Sequence, residues 1–546
     1  MILLAFFVLL GTFPVYGNTN MLSDSNRNPS CIKTIYHAFN MRINSLHDKL
    51  DSLRNTGYDA IQLSPLQKSI HMANAGFECG SEWWARYQPV SHEHIEGLGS
   101  LEDLQRLCNN AREKGMIVIA DVVFNHMAVV ASRDEWHRSE KDSKHREHLL
   151  KRLEERFAPL TRADFHPWKD CSRDPDWDNE NRFEGWGAGE WSDLKPTEKV
   201  LSIHKKHLDV LMSAGVRGFR FDAAKHIRPS TLKLYVDHIR SKQADCFIYF
   251  EVLSGDPNMH AETMSIAEST DFLLCWRLRD IILGQNSRML HDLPELSPYS
   301  VRFARNHDTI MNQEMAHSMG YRRDDHRCIL AWVIIMAIDT GTVLVFPEDH
   351  DFHHQDKQPV KKAIAFRKEM YLRQAPPHRL HFFNATDTPP ADEKHAPPCQ
   401  SATAEQEELM KDCAELESFA AQAQRQRVKR IMLDHVSSMR AHLQHEDSKR
   451  LHKRKHHSIN DCRVHDQVVA MTRGEHGFIL MNMSKKWAEL KSMAFEGSEL
   501  VGHYKEQVFG FGIEIDEAHA VSSWAGTRGG SIKIGPQTAL IFIKQK

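Results

Sequence analysis

From Thr34 onward the apolar positions change period in a regular rhythm. "TIYHAFN" reads as a strand, "SLHDKLDSLRNTG" is an amphipathic helix ending at Gly57, and "YDAIQLSP" is a strand again. "SLEDLQRLCNNAREKG" is helical, with Ser100 as its cap and Gly115 closing it, and "MIVIADVVFNH" returns to a strand. The rhythm pauses after His126. It resumes with the helix "TEKVLSIHKKHLDVLMSAG", the strand "VRGFRFDAA", the helix "STLKLYVDHIRS" and the strand "CFIYFEVL". "TDFLLC", "YSVRFARNHD" and "TGTVLVFPE" read as the remaining strands, with the helix "HRCILAWVIIMAID" before the last. Strand-then-helix repetition implies parallel strands joined by crossovers, and about eight of them predict an α/β fold, a (β/α)8 barrel.

Two later stretches have other patterns. "APPHRLHFFNATDTPPADEKHAPP" is Pro-rich and loop-like. After it Leu409, Cys413, Leu416, Ala420 and Ala423, then Val428, Met432, Val436, Met439 and Leu443, recur at steps of three and four, which predicts a helical hairpin. Residues 375–462 are therefore set apart as an insertion, either packed on the barrel or serving as a partner-binding or oligomerising arm. Its basic end "KRLHKRKHH" reads as a solvated face rather than a nucleic-acid site. From about residue 463, "DQVVAMTRGEHGFILMNMS" and "SIKIGPQTALIFIKQK" alternate apolar and polar positions between turns, the pattern of a small antiparallel β-sandwich.

Composition narrows the class. A chain of 546 residues exceeds one core and should divide into several domains. A net charge of −3 with 26% charged residues gives no field that would draw nucleic acid or an anionic membrane. The first 17 residues, "MILLAFFVLLGTFPVYG", are too short to span a bilayer and are shaped as a secretory signal, although no Lys or Arg precedes the apolar run. The expectation is a secreted or periplasmic protein without a membrane anchor. Ten cysteines show no CxxC pair of the zinc-binding kind. Cys31 with Cys79, or Cys399 with Cys413, could pair after export, whereas Cys108 and Cys328 sit in helical patterns and read as buried thiols.

"GFRFDAAKHI" places Arg220, Asp222, Lys225 and His226 in an apolar stretch where a buried strand would carry no charge. Other strand ends are equally polar: "DVVFNH" (Asp121 to His126), "FEVL" with Glu251, and "RNHD" ending at Asp308. A barrel of this type builds its active site from the C-terminal strand ends, so Asp222, Glu251 and Asp308 converge there with histidines and an arginine. Ion pairs that merely brace a barrel seldom gather at successive strand ends.

These four motifs, in this order, resemble those of the α-amylase family of glycoside hydrolases, in its secreted bacterial-type branch. "WWARYQPV" and "EGLGSLEDLQRL" are similar to the same branch. The resemblance runs from about Thr34 to Arg373 and again from about Val464. It implies Asp222 as nucleophile, Glu251 as acid/base, and Asp308 as a carboxylate that binds sugar hydroxyls and favours the transition state. Arg220 would hold the nucleophile ionised, being two residues before it on the same strand face. His126 and His307 would donate hydrogen bonds to the same sugar ring, and Lys225 and His226 would contact the leaving side. Trp83, Trp84 and Tyr87 offer flat faces in a barrel loop on which glucose can stack, Trp83 alternatively folding back as local core. The segment 127–195, too long for a simple loop, looks like the small domain the family inserts after the third strand. There the family's structural calcium would fall on Asn125, Asp193 and the backbone carbonyl of His226, hard oxygen ligands that suit Ca2+. The chloride-activated members add a second basic residue beside the eighth strand to join Arg220 and Asn306; "GTVLVFPEDHD" has none, so chloride is not expected.

The reading is an exported enzyme that hydrolyses internal α-1,4 bonds of starch, glycogen or maltodextrin with retention. An exo-acting or transglycosylating relative that releases glucose or maltose uses the same machinery. A catalytically dead carbohydrate-binding protein would usually have lost one of the three carboxylates. The domains expected are a barrel over 18–126 and 196–374, an inserted domain over 127–195, the helical insertion over 375–462 and the sandwich over 463–546.

Overall fold

A computed structural model of the chain describes residues 32–70, 83–169, 183–186, 190–284, 287–293, 297–311, 321, 325–351, 358–383, 386–387, 468–490, 500–508, 512–515, 521–523, 532–534 and 537–545. Eight parallel strands close a barrel: β1 (Thr34–Ala38), β2 (Ala60–Leu63), β3 (Ile117–Val122), β4 (Gly218–Phe221), β5 (Phe247–Phe250), β6 (Glu268–Thr270), β7 (Ser300–Arg302) and β8 (Thr342–Val345). Each pairs with its neighbour in sequence, and β8 closes onto β1. Nearly every strand residue is buried, since side chains fill the inside and helices cover the outside.

The helices begin and end for local reasons. Leu101–Glu113 starts at a capping box in which Ser100 and Asp103 satisfy each other's backbone amides, and it buries Leu104, Leu107, Cys108 and Ala111 along one stripe. Glu198–Ser213 starts at Thr197, whose hydroxyl accepts from the Val200 amide. It stops at Gly215, which has φ +103 and where a Cβ would lie 2.8 Å from the Cβ of Cys108; only glycine suits such a turn. Cys328–Ala337 is buried at every position because it packs against Pro359–Leu372 on one side and the C-terminal strands Gly477–Asn482 and Thr538–Lys544 on another. Cys108 and Cys328 are buried free thiols. Among the described residues no helix is long and apolar enough to cross a membrane.

Under the mouth of the barrel, Glu198–Ser213 docks on the strand Pro89–Ile95 through three buried histidines. The His204 ring stacks flat on Phe124, centroids 4.0 Å apart, and its Nδ1 lies 2.7 Å from the Tyr235 hydroxyl. His207 donates from Nδ1 to the His92 carbonyl at 2.8 Å, and the His92 ring donates from Nε2 to the Val123 carbonyl at 2.9 Å. Burial holds all three imidazoles neutral, with His92 lowered to about 3 and His207 to about 4.

The strand boundaries differ from the sequence reading in several places; "YSVRFARNHD" is a strand only over Ser300–Arg302, and its end enters the helix His307–Met311. "TDFLLC" is not a strand: β6 stops at Thr270 and Asp271 caps the helix Phe272–Leu283, accepting from the Leu274 amide at 3.0 Å. Its apolar residues belong to the buried side of that helix, an ambiguity inherent in short apolar runs. β3 ends at Val122, and His126–Val129 leaves the barrel to pair antiparallel with Trp191–Asp193 of the inserted segment. A further difference concerns the stretch from Ala375. Arg379–Phe383 is a strand, paired antiparallel with Val468–Thr472 at the edge of a seven-stranded sheet, and Thr386–Asp387 pairs with Ala488–Leu490 in a three-stranded one. Val468, Ala470, Phe478 and Leu480 of the first sheet share a core with Leu490, Ile532 and Ile534 of the second, so the two form the predicted sandwich. The inserted sequence thus interrupts the sandwich rather than preceding it. The helical hairpin, the N-terminal apolar run and both candidate cysteine pairs lie outside the described residues.

Candidate active site

Carboxylates collect where β3, β4 and β5 end. The ladder register sets Asp121 of β3 beside Arg220 of β4. Arg220 then serves three acids at once. Its Nη1 donates to Asp121 Oδ1 and Oδ2 at 2.7 and 2.6 Å and to Asp222 Oδ1 at 2.9 Å, and its Nη2 lies 2.7 Å from Glu251 Oε1. The other Glu251 oxygen accepts from the Ala223 amide at 2.8 Å. That amide is aimed by an unusual backbone, since Ala223 has φ +49, in the left-handed region that costs an L-residue roughly 1–2 kcal/mol. Asp308 is the second residue of the short helix His307–Met311 beyond β7, and Asn306 Nδ2 reaches its Oδ2 at 3.5 Å. Lys225 is buried and donates to the Leu253 carbonyl at 2.8 Å, tying the loop after β4 to the loop after β5.

One guanidinium therefore faces four carboxyls, and this changes their titration. Burial and the charge of Glu251 push Asp308 up to about 8, and burial pushes Asp121 up to about 6 against the pull of Arg220. Asp222 moves the same way: burial and Glu251 raise it well above the usual carboxylate range, with Arg220 pulling back. The contact by which Arg220 was expected to favour ionised Asp222 is present, and it acts against burial and the charge of Glu251. Arg220 itself is driven far above its ordinary value by its acidic neighbours.

The aromatic residues are arranged differently from the sequence expectation. Tyr87 is buried, not an exposed platform. Its ring stacks on His307, centroids 5.3 Å and planes 10° apart, and its hydroxyl donates to Asp121 Oδ2 at 3.0 Å. The cause is the tight turn Trp83–Tyr87, clamped by buried Arg86, whose guanidinium donates to the Pro65, Gln67 and Glu96 carbonyls. Trp83 and Trp84 are half-buried, and the Trp83 ring packs against Phe39, Tyr87 and His307. His307 is held between Tyr87 and Phe39, the latter 4.8 Å away, with its Nδ1 unpartnered among the described residues. His126 also differs. Its Nε2 donates to the Tyr87 carbonyl at 2.9 Å, and burial lowers it to about 4, so the neutral ring offers only an acceptor at Nδ1 rather than the expected donor.

The residues expected to hold calcium lie around the junction of barrel and insert. The register opposes His126 and Asp193, and the Leu194 amide donates to the Asn125 carbonyl at 3.0 Å. Asn125 and His226 line one cavity with Leu194 and His166. Asp193 is buried, with one carboxyl oxygen 2.6 Å from His166 Nδ1, and burial pushes it up to about 7. An amide oxygen, a carboxylate and a main-chain carbonyl are hard donors of the kind calcium takes, and here His166 engages the Asp193 carboxylate.

Four contributors were assigned no role by the catalytic sequence reading. Asp121 stood in a quoted motif, and its place at a strand end was the available signal. Asn306 caps the Asp308 helix, its Oδ1 accepting from the Thr309 amide at 3.0 Å. His37 of β1 is buried against His307, ring centroids 5.3 Å apart, and is lowered to about 3 by burial and by Arg220. Trp191 stacks on His126. A lone histidine in an apolar strand, or a lone tryptophan between Glu190 and Ser192, gives no such signal.

Known proteins resemble this chain in sequence and in fold. The family model described as α-amylase, catalytic domain, matches residues 42–336. The chain is 28% identical over 396 residues to an α-amylase of Aeromonas hydrophila, covering 65% of this chain and 78% of that one. It is 31% identical over 230 residues to an α-amylase of Clostridium acetobutylicum, covering 40% of this chain and only 27% of that protein's length. Among solved structures, α-amylase I of Eisenia fetida is similar with a TM-score of 0.58 at 16% identity, covering 92% of this chain and 97% of that one, a likeness of fold.

Proposed function

The chain belongs to the α-amylase family of glycoside hydrolases, and from that membership we propose that it is a retaining enzyme cleaving internal α-1,4-glucosidic bonds of starch, glycogen or maltodextrins. The observation that carries the reading is that Asp222 and Glu251 bind adjacent nitrogens of the same guanidinium. Sharing Arg220 keeps the two carboxyls close. Retaining pairs stand roughly 5–5.5 Å apart, whereas inverting pairs leave a wider gap for water.

In the first step the Asp222 carboxylate attacks the anomeric carbon while Glu251 gives its proton to the departing glycosidic oxygen, forming a glycosyl ester and a free chain end. In the second, water loses a proton to Glu251 and attacks the same carbon, releasing Asp222 with the original configuration restored. Asp308, held up to about 8 by burial and by Glu251, would contact sugar hydroxyls and the positive charge that develops on the ring. The Tyr87–His307 stack supplies the wall of that subsite, with Trp83 and Trp84 beside it. His126 accepts rather than donates at Nδ1.

Asn125, Asp193 and the His226 carbonyl would hold calcium, which supplies a fixed joint between barrel and inserted domain. The apolar opening of the sequence supports export.

The test is replacement of each reacting carboxyl. Asp222→Asn and Glu251→Gln each lower hydrolysis of soluble starch by several orders of magnitude with the far-ultraviolet spectrum unchanged. Activity within about tenfold of wild type in either variant sinks the assignment. Products from a reducing-end-blocked maltooligosaccharide distinguish internal cleavage from release of glucose or maltose at chain ends.

A further inference from the structure

Trp191 is a large apolar side chain that the mechanism leaves without a task. It opens the short strand Trp191–Asp193 of the inserted segment, opposite the strand that starts at His126. Its indole stacks on the His126 imidazole, centroids 4.8 Å apart and planes inclined by 20°. One face is thereby covered while 38% of the residue stays exposed, and Trp487 is the other exposed tryptophan among the described residues. His126 beneath it is buried, bonded to the Tyr87 carbonyl, and lies within the field of Glu251. From there Tyr87 leads through Asp121 and Arg220 to Asp222. The indole thus covers the outer face of a histidine that feels the charge of Glu251, on the insert side.

An exposed flat apolar ring next to a polar cleft suits the C–H face of a pyranose, which an indole covers at little entropic cost because only two torsions must be fixed. We propose that Trp191 is a specificity-determining residue, whose open face stacks on a glucosyl unit of the α-glucan beyond the bond that is cut. Its contribution is to longer chains, since a unit remote from the reacting carbon must be present to reach it. The inference rests on the α-glucan reading above.

The experiment compares kcat/KM for maltoheptaose and maltotriose in the full-length wild type and in Trp191→Ala, Trp191→Leu and Trp191→Phe. In Trp191→Ala the maltoheptaose-to-maltotriose ratio falls about tenfold, roughly 1.4 kcal/mol, mostly through KM. Trp191→Phe, which keeps a flat ring, restores the ratio to within about threefold. Trp191→Leu keeps bulk over His126 without a stacking face and behaves like the alanine variant, which covers the case in which alanine unfolds the strand. Trp487→Ala, on the C-terminal sandwich, leaves the ratio unchanged. An unchanged ratio in the leucine variant overturns the inference. So does an equal fall in kcat on both substrates in all three variants, which would mean that the indole only holds His126 in place. A wild type inert toward both oligosaccharides overturns the hydrolase reading itself, a result separate from either of these.

Discussion

The buried histidine cluster beneath the barrel mouth makes acid lability a measurable property of single residues. His207 is the clearest case, since its Nδ1 donates to the His92 carbonyl at 2.8 Å while its Nε2 has no partner among the described residues. Its folded value of about 4 lies below the ordinary 6.5, so between these two values the unfolded chain binds more protons than the folded one. Stability from this site is therefore intact above about pH 6.5 and falls as the pH drops toward 4. Working through the two values, His207 costs about 0.2 kcal/mol at pH 7 and about 2 kcal/mol at pH 5. His207→Asn removes the titration while its amide nitrogen occupies the position of Nδ1 and keeps the bond to His92. The space left by the missing ring atoms costs the same at both pH values and cancels. Urea titrations of wild type and variant at pH 7 and pH 5, followed by tryptophan fluorescence, should show the variant gaining about 2 kcal/mol relative to wild type on acidification. Parallel losses, within about 0.5 kcal/mol, would show that His207 is not held neutral and would refute the argument.

Two further outcomes are expected. Chelation should lower the thermal midpoint and added calcium restore it, because a ligand bound only by the folded state stabilises by mass action; an unchanged midpoint in excess chelator would speak against a site at Asn125 and Asp193. Replacing residues 388–467 with a Gly/Ser linker long enough to join the flanking strands should leave hydrolysis of a small maltooligosaccharide within about tenfold, whereas a deletion beginning at residue 375 also removes Arg379–Phe383 and should lower the midpoint of the sandwich, as differential scanning calorimetry would report.

The barrel was legible because its signals are local. Ser100 with Asp103, Thr197, Gly57 and Gly115 punctuate the helices as their chemistry requires, and strand-helix alternation leaves few other topologies. Asp222 and Glu251 were legible because each directly follows a strand, whereas Asp308 stands further on, in the short helix beyond β7. What escaped depends on contacts across long separations. Asp121 meets Arg220 from 99 positions away, and nothing in "DVVFNH" announces that one guanidinium will be shared with Asp222 and Glu251. Tyr87 was read as exposed because a loop aromatic does not reveal which way its turn closes; the buried Arg86 fork decides that. The proton position on His126 follows from a single carbonyl contributed by Tyr87. "RLHFF" lies near prolines and finds its partner only after residue 467, so its short alternation looked like part of a loop.

That last strand has a consequence for the order in which the chain is made. Arg379–Phe383 leaves the ribosome well before Val468–Thr472, the strand it must pair with. At typical elongation rates the delay is on the order of ten seconds. Barrel strand β8 is complete before the interval begins, so the barrel can close during synthesis, while the first strand of the sandwich waits with its backbone donors and acceptors unpaired. An unpaired edge of this kind is open to pairing with other chains. The vulnerable species during biosynthesis is therefore not the catalytic barrel but the nascent chain paused, in structural terms, between the two halves of its C-terminal sheet.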